Sequence, residues 1–314
     1  MTTTARTAER AEEDRRARET VVRADRGRIR KPKESASLVH KLGGILPTVV
    51  LLIAVLYFLL PMVWVVFAAT KSTGELFSTS AFTFGSSLID NMTDLFAYEN
   101  GSFARWLGNS FIYSIGGALL STAVSAAAGY ALALYRFPGK KAVMVGLLAG
   151  VLLPTITLAI PQYMLFAQLN LTNTYWAVLI PISITPFGIY LSYVFARGSV
   201  PQELLEAARV DGSNEGRTFV SIGLPLLFPG LVTVFLLQFI GAWNNFLLPY
   251  IMQSKSELSP ITVAMFLMLN RGGSEPVLYS VAIAGALIAV IPVVIFVLVL
   301  QRFWRLDLIS GSLK

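Results

Sequence analysis

The chain has 314 residues, of which 55% are hydrophobic and only 14% charged, and its mean hydropathy is +0.65. That balance excludes an ordinary soluble domain and points to a polytopic membrane protein. The 25 Lys and Arg against 18 Asp and Glu leave a net charge of +7, and the absence of cysteine excludes disulfides, thiol nucleophiles and thiolate metal sites together.

Residues 1–43 hold 12 basic residues, interleaved with Glu9, Glu12, Glu13, Asp14 and Glu19 and almost no large apolar side chains. They are expected to form a disordered or fraying helical tail near anionic lipid headgroups, with a partner-binding arm as the alternative. A cleaved signal peptide is disfavoured, because the charged region is too long and the apolar run after it suits a retained span.

Residues 44–300 carry six apolar runs near Gly44–Ala69, Asn109–Leu134, Ala142–Leu169, Tyr175–Ala196, Leu226–Tyr250 and Val277–Leu300. Each has about 20 residues or more, enough to cross a roughly 30 Å hydrocarbon core. In the second run Ser110, Ser114, Gly117, Ser121 and Ser125 fall within about 80° of arc at 100° per residue. Such a stripe serves close helix packing or lines a polar path, with Ser114 and Ser121 as path candidates. Gly146-x-x-x-Gly150 in the third run is a packing device of the same kind. Pro154 and Pro161 interrupt that run, so its span is expected to end near Pro161, with Gln162–Leu169 along the interface. Pro181, Ser183, Thr185 and Pro186 interrupt the fourth. Breaks of this kind mark a transport site or simply kink a helix for packing.

Between the fourth and fifth runs lies a polar segment, Arg197–Leu224. Pro201 suits a first helical turn, Gln202, Glu203 and Glu206 put polar or acidic groups near its start, and Leu204, Leu205 and Ala208 form an apolar side. Gly212 supplies a stop, Ser213 or Asn214 can cap a second short helix through Phe219, and Pro225 marks where the chain turns back to apolar sequence. A helix–turn–helix this small is not expected to bury its own apolar face, so it calls for a partner.

The fifth run ends with Gln238, then Trp243-Asn244-Asn245. Gln238 and Asn245 are seven residues apart and share a helical face. Uncharged amides beside an indole suit a neutral polyhydroxylated ligand, since amides both donate and accept and an indole face stacks on sugar C–H surfaces. The alternative for Trp243 is an interfacial belt residue. The segments 71–108 and 251–276 are long enough to touch a solute-binding protein, whereas Asn170–Thr174 is only a turn. Three glycosylation sequons, at Asn91, Asn100 and Asn170, are expected to be chance matches.

Charge orients the chain. With both ends inside, the segments 1–43, 135–141, 197–224 and 301–314 hold 21 of the 25 basic residues, leaving Lys71, Arg105, Lys255 and Arg271 outside. Both termini, including the tail 301–314, are therefore expected in the cytoplasm. The net charge is a product of topology and calls for no nucleic acid. No Asp, Glu, Lys, Arg or His falls within the six runs, which disfavours an ion-coupled secondary transporter. Gly139-Lys140-Lys141 lacks the upstream glycine and hydroxyl residue of a phosphate-binding loop, so no ATP site and no cofactor are expected in this chain.

Glu206-Ala207-Ala208, then Gly212, then Ile222-x-Leu224-Pro225 resembles, position for position, the EAA signature of permease subunits of bacterial binding-protein-dependent ABC importers. The run W-N-x-F-L-x-P from Trp243, with Ile222-Gly223-Leu224-Pro225-Leu226, resembles the maltose/trehalose-type carbohydrate permeases, over roughly residues 40–314. The resemblance implies an all-α inner-membrane permease of the type I importer fold, which moves an oligosaccharide by alternating access. It implies a second homologous permease, two ATPase subunits carrying ATP and Mg, and an extracytoplasmic sugar-binding protein. In the cassette Glu206 would be the charged contact to the ATPase, Ala207 and Ala208 the small residues of close approach, and Gly212 the turn, with Asp211, Ile222, Leu224 and Pro225 completing the coupling loop. Cargo of another kind, or a channel or secondary transporter without an ATPase, are the alternatives.

Overall fold

The computed structural model describes residues 37–270 and 278–310, with side chains over 47–270 and 278–301. The charged tail, most of which is residues 1–36, lies outside the described residues, as do Arg271 and residues 311–314. The chain divides into two compact units, residues 1–61 and 62–314. The described part of the first unit is helical and belongs to α1 (Ser37–Ala69), which contains Pro47 and Pro61.

The second unit is helical throughout its regular structure. At one end α2 (Thr73–Ser78) and α3 (Leu88–Ala97) precede α4 (Ser102–Phe111), which continues through a π turn at Ile112–Gly116 into α5 (Gly117–Leu134). Then follow α6 (Lys140–Leu152), α7 (Thr155–Gln168), α8 (Trp176–Ser183), α9 (Pro186–Ser199), α10 (Gln202–Val210) and α11 (Glu215–Thr218). A π turn at Phe219–Gly223 leads into α12 (Leu224–Trp243), followed by α13 (Leu247–Met252), α14 (Ile261–Leu269) and α15 (Tyr279–Ser310).

Five helical runs are long and apolar enough to cross a membrane, and a sixth is obtained if the bent pair α6 and α7 is one span. That pair bends by 104°. The break falls at Leu153–Pro154 and not near Pro161, which lies inside α7. Leu153 is extended, at φ −71° and ψ 126°, as a residue before proline prefers. With 13 and 14 residues, the two halves reach about 20 Å each, short of a bilayer core. The fourth run breaks as expected: Thr185, before Pro186, is extended and Pro186 opens α9.

The fifth span is displaced relative to the expected Leu226–Tyr250. Its helix begins in the polar loop, at Glu215, and stops at Trp243. Asn244 leaves the helix, and the Ile240 carbonyl accepts from both its backbone N–H (3.1 Å) and its Nδ2 (2.9 Å), which closes the helix end. Pro225 follows directly on the π turn at Phe219–Gly223, inside this helical run, so the chain continues as helix there instead of turning. Within the candidate spans 47–69, 102–134, 140–168, 176–199, 215–243 and 279–301, charge falls only near the ends, at Arg105, Lys140, Lys141, Arg197, Glu215 and Arg217.

The core forms where α5, α9 and α12 meet. Ala126, Tyr130, Ala196, Val200, Leu227 and Leu231 are buried together there. Nearer the other end, Ala118, Phe239 and Trp243 pack with Phe296 of α15. The loop before α14 is pinned to α4 and the π turn by polar contacts: Trp106 Nε1 donates to Ser256 O (2.9 Å), Asn109 Nδ2 to Glu257 O (2.8 Å) and Tyr113 OH to Leu258 O (2.9 Å). Of the three sequons, Asn91 is buried and its Nδ2 donates to the carbonyls of Ala69 and Lys71, which leaves no access for a glycan.

Candidate functional site

At the end of the second unit that holds the 135–141 loop, α10 lies against the ends of the spans and closes on its own turn. Its end is a Schellman arrangement. Gly212 is left-handed at φ +76°, its N–H donates to Arg209 O (3.0 Å), and the Ser213 N–H reaches back to Ala208 O (2.9 Å). Asn214 then caps α11 by accepting from the Arg217 N–H at 2.9 Å.

The apolar side of α10 is divided. Leu205 and Ala208 are buried, Leu205 in the cluster around Tyr130 and Leu227, whereas Leu204 is exposed. The loop therefore covers part of its apolar face with its own chain, contrary to the expectation that only a partner could cover it. Glu206, Ala207, Val210, Asp211 and Gly212 remain exposed, Val210 at 88%. Ile222 and Leu224 are half-buried, in the π turn and at the start of α12, and Pro225 is exposed beside them. The cassette thus separates into an exposed part on α10 and its turn and a part built into the helix of the fifth span.

A carboxylate that pattern alone did not single out bridges two elements at this end. Glu215 accepts from Arg209 Nε (2.8 Å) on Oε1 and from Tyr135 OH (2.6 Å) on Oε2. The Arg209 guanidinium, then the Tyr135 hydroxyl, hold its carboxyl below the usual carboxylate range. The same carboxylate raises Arg209, and burial followed by Glu215 raises the Tyr135 phenol. The sequence signal was only the acid after the Asn214 cap; Tyr135 lies 80 residues away.

A cleft of about 750 Å3 opens where α6 and α7 diverge, bounded also by the α8–α9 break and the end of α12. Its polar side chains are Thr155, Gln162, Thr185, Gln238, Asn244 and Asn245, among apolar neighbours such as Leu158, Ile182 and Phe187, and no ionisable side chain lines it among the described residues. Gln238 and Asn245 share this cleft although Asn245 lies beyond the helix end. Gln162 was expected only along the interface. The 104° bend brings it here, and a glutamine one helical turn or two after a proline break was the signal available. Asn244 spends one donor on Ile240, and Asn245 Oδ1 accepts from Leu248 N at 3.4 Å.

Trp243 is not on the cleft. It is buried, edge-on to Phe111 (5.1 Å) and stacked on Phe239 (5.8 Å), so its faces are occupied. Ser114 is fully buried and its Oγ donates to Ser110 O at 2.6 Å. Ser121 is buried as well, its Oγ 3.1 Å from Thr185 Oγ1, so it lies behind a lining residue. Of the stripe, Gly117 lies against Ile182 of α8 and Ser125 against Gly188 of α9, whereas Ser110 Oγ accepts from Ile261 N at 2.8 Å, at the start of α14.

The model of the family described as binding-protein-dependent transport system inner membrane component matches residues 122–306. Among curated relatives, the arabinooligosaccharides transport system permease protein AraQ of Halalkalibacterium halodurans is 32% identical, over 81% of this chain and 90% of its own. The trehalose transport system permease protein SugB of Mycobacterium tuberculosis is 33% identical, over 82% and 93%. The fold is similar to a chain in the crystal structure of a bacterial ABC transporter involved in the import of the acidic polysaccharide alginate. The TM-score is 0.74 at 21% identity, over 87% of this chain and 99% of that one.

Proposed function

From the premise that this chain belongs to the family of binding-protein-dependent transport system inner membrane components, we propose that it is the permease subunit of an ATP-driven carbohydrate importer, with an oligosaccharide as cargo. The relatives named for arabino-oligosaccharides and trehalose support the class. The observation that carries the cargo is the cleft: four amide side chains, two hydroxyls and no ionisable group, in the angle of a broken span. Amides supply donors and acceptors to sugar hydroxyls without the desolvation cost of a charge, and apolar walls suit the C–H faces of a pyranose.

In this reading closure of a separate ATPase dimer pushes on α10, the spans rearrange, and the cleft opens alternately to either side of the membrane together with a second permease. The outward face receives sugar from an extracytoplasmic binding protein. What supports a cytoplasmic position for α10 is the placement of charge. Arg136, Lys140, Lys141, Arg209 and Arg217 share the end where Tyr135 meets Glu215, while Arg105 pairs with Glu257 at 3.9 Å in the loop holding Lys255. The six-span domain 44–300, its coupling loop 197–224 and cytoplasmic tails at 1–43 and 301–314 belong to the same proposal.

The test is ATP hydrolysis by the complete complex in proteoliposomes, with its binding protein, across neutral oligosaccharides, hexoses, amino acids and anionic solutes. Stimulation by a neutral oligosaccharide is expected. Stimulation confined to amino acids or anions would overturn the cargo assignment.

A further inference from the structure

We infer that Glu215 is a positioning residue that ties the docking helix to two spans at once, so that displacement of α10 moves the second and fifth spans together. The inference rests on the proposed docking role of α10. Arg209 stands in the last turn of α10, Tyr135 caps the C-terminal end of α5, and Glu215 is the first residue of the helical run that continues to Trp243. Each carboxylate oxygen has one of these partners, Oε1 taking Arg209 Nε and Oε2 taking Tyr135 OH. Among the described residues Glu215 is the one side chain that hydrogen-bonds to both α10 and the end of α5.

The apolar contacts do not do this work alone. Leu205 rests on the Tyr130 cluster, but apolar burial is non-directional, whereas two charge-assisted hydrogen bonds on one carboxylate fix direction. The aromatic contacts Tyr130–Tyr135 (5.9 Å) and Tyr130–Phe219 (4.9 Å) hold the two receiving helix ends side by side, so Glu215 bridges to a prepared pair. Arg209 and Glu215 are about half exposed, at 47% and 51% of their side chains, and an exposed pair adds little to stability. Its effect is therefore expected in transmission, not in folding.

The experiment measures sugar transported per ATP hydrolysed, with ATPase retention on purification, for the reconstituted complex carrying Glu215→Ala, Tyr135→Phe, Arg209→Glu, Glu215→Arg, or the last two together. Glu215→Ala should lower the ratio about fivefold and Tyr135→Phe about twofold, with the ATPase retained. The exchanged pair should recover more of the ratio than either of its single substitutions, which a purely structural role would not require. A wild-type ratio in both Glu215→Ala and Tyr135→Phe overturns the inference, and so does an exchanged pair no better than its singles. Should Glu215→Ala fail to assemble, Tyr135→Phe decides, since it removes one oxygen from a loop. Glu206→Lys is the control: loss of attachment there with normal Glu215 and Tyr135 variants sinks only the bridge, whereas an undisturbed Glu206→Lys complex sinks the docking role of α10 itself.

Discussion

Gly223 lies against the ring of Tyr130 so closely that a Cβ at residue 223 would stand 2.6 Å from Cε2. Both residues are buried, and Tyr130 also packs on Phe219, so the ring has no free side to move to. Gly223→Ala should therefore cost about 1–3 kcal/mol as overpacking. Thermal unfolding of the detergent-purified protein checks this; an unchanged midpoint would show that the ring shifts freely.

Gly212 presents a different constraint. Nothing lies within 4 Å of a Cβ there, so only its backbone conformation, φ +76°, resists substitution. Asparagine tolerates that region and valine does not. Gly212→Asn should retain sugar uptake, and Gly212→Val should lose most of it while still inserting in the membrane. Equal uptake by the two variants would mean that the turn plays no part in coupling.

The cleft and the core behind it are separable by mutation. Gln162→Ala or Gln238→Ala should weaken sugar uptake, with removal of one hydrogen-bonding group worth about 1–3 kcal/mol in substrate recognition. Trp243→Ala, by contrast, should destabilise the protein by about 3–5 kcal/mol as a large-to-small core change. Concentration-dependent uptake and thermal unfolding, measured on all three, check the division. Normal uptake in both glutamine variants would move the sugar contacts to the second permease.

Glu215 also sets a pH expectation. Its carboxyl is held below the ordinary value of 4.5, chiefly by the hydrogen bond from Arg209. A depressed folded-state value means that the contribution of this contact is present above 4.5 and is lost as pH falls through the lower, folded value. Transport per ATP should stay constant from neutral pH down to about pH 5, so far as this contact governs it. A decline centred near pH 6 to 7 in wild type, absent in Glu215→Gln, would contradict the assignment.

The loop between the fourth and fifth spans was legible because its signals are local. Gly212 and Asn214 act within a turn of themselves and do what their chemistry requires, while Pro201 stands one residue before the expected first turn, as the extended N-cap of α10. The bend in the third span was not. A proline shows where an N–H is missing, but whether the helix continues, as at Pro161, or swings by 104°, as after Leu153, depends on what neighbouring helices do with the freed carbonyls. That bend in turn decides that Gln162 lines the same cleft as Gln238. Trp243 is instructive in the other direction: Phe239, one turn earlier, already marked an aromatic stack, but Phe111 comes from a distant helix. Leu205 found its cover on Tyr130 for the same reason, through a contact that helical periodicity on α10 does not encode.

The docking claim at the centre of this account is open to a direct measurement, because the chain has no native cysteine. Ala207 is exposed on α10 and Ala208, the next residue, is buried. In membranes containing the assembled complex, Ala207→Cys treated with a short thiol-to-amine cross-linker should yield an adduct with the ATPase subunit, and Ala208→Cys should yield little. An Ala207→Cys protein that is labelled by a thiol reagent from the cytoplasm, yet gives no ATPase adduct in an actively transporting complex, would contradict the account.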